Sequence, residues 1–173
     1  MRRLLLAIVA VTVAGSPLAG CGDEDGGDGT LNGAPKELAG DWSGRLTQKG
    51  LPSFRVAARF DQGGLDGSPP VVAYTGIDCG GTWTWEGTDE SNPPIYMFEE
   101  EIDQGSGGEC KGSGRVAIRP AEPCQRVAAN GCDYRHLRYR FSGGGVTSTG
   151  VLTPASDDEV TRIFEEAGVE LDG

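Results

Sequence analysis

Ser53-Phe54-Arg55-Val56-Ala57-Ala58-Arg59-Phe60 is the stretch that decides the fold. Phe54, Val56, Ala58 and Phe60 fall on one face of an extended chain, with Arg55, Ala57 and Arg59 on the other. A period of two marks a half-buried strand. The pattern recurs on both sides. Leu137, Tyr139 and Phe141 oppose His136, Arg138 and Arg140, and Trp83 and Trp85 oppose Thr82 and Thr84. From Gly40 onward, β-branched and aromatic segments alternate with Gly, Pro and Asp turns at intervals of roughly ten to fifteen residues, as in all-β sandwiches and barrels. Eight strands are expected, over 41–48, 53–60, 71–75, 82–86, 95–103, 114–119, 135–141 and 146–152. Short connections favour sequential antiparallel pairing, and closing such a meander removes its edges. The expectation is an all-β, eight-stranded antiparallel meander, barrel-like, over residues 40–155; a two-sheet sandwich is the alternative.

One helix follows, over 156–168. Ser156 is a cap residue with Glu159 three positions on, the spacing of a capping box. Asp157 and Asp158 suit the positive N-terminus. Val160, Ile163, Phe164 and Ala167 form one apolar stripe, and Gly168 is a stop signal. So short a helix is marginal alone in water, so the stripe should dock on the β-domain.

Upstream, residues 21–39 read as a flexible acidic linker. Gly22-Asp23-Glu24-Asp25-Gly26-Gly27-Asp28-Gly29 cannot bury a core. As a calcium loop from Asp23 it fails at the sixth position (Asp28, not Gly) and the twelfth (Ala34, not Glu). Before it, Arg2 and Arg3 precede the apolar run Leu4 to Val13, shorter than the roughly 18 residues of a membrane span. Residues 1–20 therefore read as a signal peptide. Leu18-Ala19-Gly20-Cys21 resembles the lipobox of bacterial lipoproteins in all four positions. That resemblance implies cleavage before Cys21, a lipid thioether on its sulfur, and anchorage at the outer face of the cytoplasmic membrane. An ordinary secretory signal is the alternative, with Cys21 in a disulfide.

Four cysteines remain: Cys79, Cys110, Cys124 and Cys132. In an exported chain they suggest two disulfides with three connectivities. Cys79–Cys110 with Cys124–Cys132 is preferred, the second closing a short loop around the Asn130-Gly131 turn. A zinc site would want close C-x-x-C pairs, which are missing. The 26 acidic against 15 basic residues give a net charge of -11. That balance argues against nucleic acid, which requires a basic surface, and against broad contact with anionic headgroups. The predicted partners are the membrane, through the lipid, and a small molecule, envelope component or protein; no cofactor or metal is expected.

A second resemblance rests on Trp42-Ser43-Gly44, Tyr74-Thr75-Gly76-Ile77-Asp78-Cys79-Gly80-Gly81, Tyr96-Met97-Phe98-Glu99-Glu100-Glu101-Ile102 with Cys110, and Gly150-Val151-Leu152. In that order they resemble small exported β-domains of actinobacteria, found as lipoproteins or as extracellular ends of Ser/Thr kinases. The resemblance implies a Cys79–Cys110 pair and an extracytoplasmic, non-catalytic domain. The Cys124–Cys132 insertion and the helix depart from that pattern. Gly40-Asp41-Trp42 is also similar to the G-x-W opening of lipocalin barrels, which implies a calycin-like shape; a Trp42 that simply plugs one end is the plainer reading.

No catalytic residue is assigned. His136 is the only histidine, on an arginine-bearing face, and no G-x-S-x-G elbow is present. Gly112-Ser113-Gly114-Arg115-Val116-Ala117 fits a dinucleotide fingerprint on paper but leads into a β segment, so it reads as a turn. Glu100 is the residue to watch. It shares a face with Tyr96, Phe98 and Ile102, and a buried carboxyl needs a partner. Arg138 and Tyr74 are the candidate partners, either in a structural pair or at a ligand site. Trp83 and Trp85 read as core, or as an aromatic platform for sugar or peptide. The expected function is non-enzymatic binding or sensing. The alternatives are an envelope hydrolase using Glu100 and a second carboxylate, or a purely structural domain.

Overall fold

The computed structural model describes residues 33–107, 112–122, 125–126 and 132–170. Its strands are β1 (Gly40–Gln48), β2 (Phe54–Phe60), β3 (Val71–Thr75), β4 (Cys79–Thr88), β5 (Tyr96–Gln104) and β6 (Gly112–Pro120). After them come β7 (Gln125–Arg126), β8 (Cys132–Asp133), β9 (Leu137–Gly143), β10 (Val146–Pro154) and the helix α1 (Asp157–Ala167). Eight strands close into an antiparallel barrel in the order β1-β10-β9-β6-β5-β4-β3-β2, each paired with its neighbour in the meander. The barrel, and not the sandwich, is the architecture. β7 and β8 form a separate two-stranded antiparallel sheet between β6 and β9, at the Cys124–Cys132 insertion.

Period-two alternation builds the interior. Phe54, Val56, Ala58 and Phe60 of β2 all point into the core, as do Leu137 and Tyr139 of β9. The structure differs from expectation in several places: β9 spans Leu137–Gly143 instead of 135–141, β7 and β8 are additional, and Ala34 and Leu38, expected in a flexible linker, are buried in the barrel core because their apolar side chains cover its end. Other differences lie at glycines. Gly80 and Gly81 belong to β4 rather than to a turn, and Gly112 and Ser113 belong to β6. These glycines allow close approach. A Cβ on Gly80 would stand 2.4 Å from the Val169 side chain, and one on Gly114 would stand 2.3 Å from the Phe141 ring.

One end of the barrel is closed. A 3-10 turn, Lys36–Leu38, crosses it ahead of β1, and Trp42 Nε1 donates to the Leu38 carbonyl at 2.8 Å. Phe60, Trp83 and Phe98 fill the adjoining interior, their rings 5.8 to 6.0 Å apart. Trp85 packs on Phe98 at 5.3 Å.

The helix lies outside the barrel. Val160, Ile163, Phe164 and Ala167 bury themselves against Ala57 of β2 and Ala73 of β3, a second core separated from the first by the wall. Small outward side chains make the seat. Arg55 and Arg59 flank it: Arg55 pairs with Glu159 at 3.1 Å, and Arg59 grips Asp41 through two nitrogens and reaches Asp157. Ser156 caps the helix by accepting from the Glu159 backbone N–H at 3.3 Å. The expected capping box is only half made, because Glu159 Oε1 accepts from Ser43 and Arg55 on the barrel. Gly168, at φ 71°, ends the helix in the left-handed region. Its N–H reaches Glu165 O, Val169 N–H returns to Phe164 O, and Val169 is buried beside Phe164.

Candidate functional site

The open half of the barrel holds a cavity of about 280 Å³. It opens at the end carrying the β1–β2, β3–β4 and β9–β10 turns. Leu46, Phe54, Ile102 and Phe141 give it apolar walls, and Tyr74, Glu100 and Tyr139 also line it. Alternation along β5 carries Glu100 inward with Tyr96 and Phe98, while Glu99 and Glu101 stay in solvent. Glu100 is 3% exposed.

Two donors converge on one oxygen. Tyr74 O–H, from β3, donates to Glu100 Oε1, and Trp83 Nε1–H, opposite on β4, donates to the same atom at 2.8 Å. The Tyr74 and Tyr139 hydroxyls lie 3.0 Å apart. Since the Tyr74 proton goes to Glu100, Tyr139 is the donor of that pair. The chain therefore runs Tyr139 to Tyr74 to Glu100. Among the described residues no donor reaches Glu100 Oε2, and no fully buried side-chain polar atom is left unpartnered. Oε2 is therefore the acceptor turned to the cavity.

Burial raises the Glu100 carboxyl above its ordinary value, and the Tyr74 and Trp83 hydrogen bonds oppose that rise. Burial, then the Glu100 charge, holds the Tyr74 and Tyr139 hydroxyls far above their usual range, so both stay protonated. Glu100 is the only acid lining the cavity among the described residues, and no Lys, Arg or His joins it. Nearer the mouth, Ser148 Oγ donates to Gln48 Oε1 at 2.6 Å. Ile77 and Val146 form an apolar part of the rim, 38% and 41% exposed.

Of the two candidate partners for Glu100, the structure brings in Tyr74 and not Arg138. The alternation that turns Leu137 and Tyr139 inward leaves Arg138 exposed, cross-strand from Val151 and Arg119. Trp83 is fully buried and Trp85 is half-buried against the core, so they form no exposed platform. The donor role of Trp83, and Tyr139 as the end of the relay, were not anticipated. A clue existed: a buried tyrosine or tryptophan requires a partner for its polar edge, and Glu100 is the buried acceptor. His136 sits on the surface, 2.9 Å from Glu122.

Cys79, on the cavity wall, is disulfide-bonded. Cys21, Cys110 and Cys124 lie outside the described residues, as does the Cys132 side chain, and so does the lipobox reading. Among the described residues there is no group of three or more potential metal ligands, and no helix is long and apolar enough to cross a membrane. No protein-family model matches the chain, and neither a curated protein nor a solved structure matches it.

Proposed function

We propose that this chain is an exported bacterial lipoprotein whose barrel binds a small molecule, without catalysis, at the outer face of the cytoplasmic membrane. The observation that carries the reading is the open-ended cavity with one unclaimed carboxylate oxygen at its floor. Apolar walls with a few placed polar groups are the usual make-up of a ligand site. At about 280 Å³ the space is small, yet a dry cavity of about 150 Å³ suffices for benzene. Glycoside hydrolysis would need a second carboxyl facing Glu100 across roughly 5 to 9.5 Å, and the described lining offers none. A purely structural domain would use Glu100 Oε1 as the acceptor for Tyr74 and Trp83 but leaves the hollow and Oε2 without a use.

In this proposal Cys21 carries the lipid and residues 22–32 serve as the spacer. Gly33 donates to the Leu65 carbonyl, and the Lys36–Leu38 turn follows at the closed end. The tether thus joins the barrel on the side away from the mouth, which suits a ligand met in the aqueous phase. Cys79–Cys110 and Cys124–Cys132 are the proposed bridges. The former would brace β4 beside the mouth, and the latter the β7–β8 pair.

The test is native mass spectrometry of the full chain after incubation with envelope extract, beside a Ser148→Phe variant that fills the cavity. Ser148 is buried on the wall and hydrogen-bonds Gln48, not Glu100. The proposal predicts a small-molecule adduct on the parent chain and none on a folded Ser148→Phe variant. Equal adducts on both would overturn it.

A further inference from the structure

We infer that the cavity takes an organic cation, a protonated amine on a compact apolar body, with its N–H groups on Glu100 Oε2. This rests on the binding reading above and names its ligand class.

The donors and acceptors around Glu100 set what the cavity floor can bind. Tyr74, Trp83 and Tyr139 are the donors around Glu100, and each is spent: two on Oε1 and one on the Tyr74 oxygen. Among the described residues, the floor therefore has no donor left for a carbonyl, carboxylate or phosphate. It has one acceptor, Oε2, and a ligand must bring the N–H or O–H. A hydroxyl could do so, but charge decides for the amine. The hydrogen-bond relay points every proton toward Glu100, the orientation that stabilises an ionised carboxylate. Among the described residues, no Lys, Arg or His lines the cavity to neutralise it. A buried charge without a counter-charge is costly, and a bound ammonium supplies the missing partner. The net charge of -11 adds a field that draws cations and repels anions. Above the floor, Leu46, Phe54 and Phe141 enclose the apolar body, which meets Ile77 and Val146 at the rim.

Among the described residues, the other titratable groups facing Glu100 are Tyr74 on β3 and Tyr139 on β9; neither ionises below neutral pH. Trp83 on β4 and Gly114 on β6 carry no charge. Glu100 is thus the one group whose titration should govern binding from acid to neutral pH.

The experiment is calorimetric titration of the full chain with benzylamine, benzyl alcohol and toluene, which share one ring and differ in charge and donors. Benzylamine should bind at least about tenfold tighter than benzyl alcohol, the scale of one charge-assisted hydrogen bond. Glu100→Gln should abolish that preference while still binding the alcohol. A readout needing no variant follows in the parent chain. As pH falls through the Glu100 titration, benzylamine, itself protonated throughout, should lose affinity relative to benzyl alcohol. Alcohol or toluene binding with no amine advantage, or with an amine advantage flat across pH, overturns the amine assignment and leaves a binding cavity. Binding of none of the three overturns the assignment and argues against the cavity as a site.

Discussion

The two halves of this barrel share strands, pairing and alternation, yet one is solid and the other hollow. On β5, Tyr96 and Phe98 point into the closed half, and two residues further along the same face Glu100 begins the open one. Below Glu100, large rings fill the bore and the Lys36–Leu38 turn covers the end. Beyond it, β6 presents Gly114 where another strand would present a side chain, and Phe141 lies over that glycine. The comparison teaches that alternation decides which residues face inward, while side-chain volume decides whether the inside is core or cavity. Glu100 stands at the boundary, where its Oε1 accepts from Trp83 of the packed half and from Tyr74 of the cavity wall, and its Oε2 from neither.

The largest effect should come from hollowing the solid half. Phe98→Ala removes a fully buried ring and should cost about 3–5 kcal/mol in urea denaturation. A loss under about 1 kcal/mol would mean the halves are not packed differently. Filling the hollow half comes next. Gly114→Ala places a methyl against the Phe141 ring and should cost about 1–3 kcal/mol, as overpacking does. A neutral result would show that Phe141 moves freely into the cavity. Phe141→Ala, at a half-buried site bordering open space, should cost only about 1 kcal/mol by the same denaturation measurement; a loss equal to that of Phe98→Ala would make the open half ordinary core.

The smallest effect is one of pH. The folded barrel raises the Glu100 carboxyl above its ordinary 4.5, so the native state holds that proton more tightly than the unfolded chain does. The stability tied to Glu100 is therefore fully present below about 4.5 and is lost as pH rises toward the folded value. Glu100→Gln removes this dependence. Its stability relative to the parent chain should rise with pH across that window, as read by denaturation at several pH values. A difference that falls with pH would mean that Tyr74 and Trp83 outweigh burial.

Much of this was legible in the chain because alternation is a local signal. Phe54 to Phe60 and Leu137 to Phe141 declare their faces, and Ser156, the Val160–Ala167 stripe and Gly168 declare the helix. The seat of that helix was not legible. Ala57 and Ala73 look like weak outward positions until a third element covers them. Gly80, Gly81 and Gly112 to Gly114 look like turns because close approach and chain reversal both favour glycine. At the site, a buried Glu100 could be anticipated from the alternation of β5, and Tyr74 stood beside Arg138 as one of two candidate partners. Tyr139 and Trp83 could not be chosen, since closure of the barrel alone brings β3, β4, β5 and β9 around one carboxyl. Arg138 seemed attractive by charge, but its neighbours on β9 had already placed it outside.

The most direct measurement is a crystal structure of the chain grown with benzylamine. The account predicts one molecule in the open half, its nitrogen about 3 Å from Glu100 Oε2, with Tyr74 and Trp83 still on Oε1. An open half filled by its own side chains, or an amine bound only elsewhere, would contradict it.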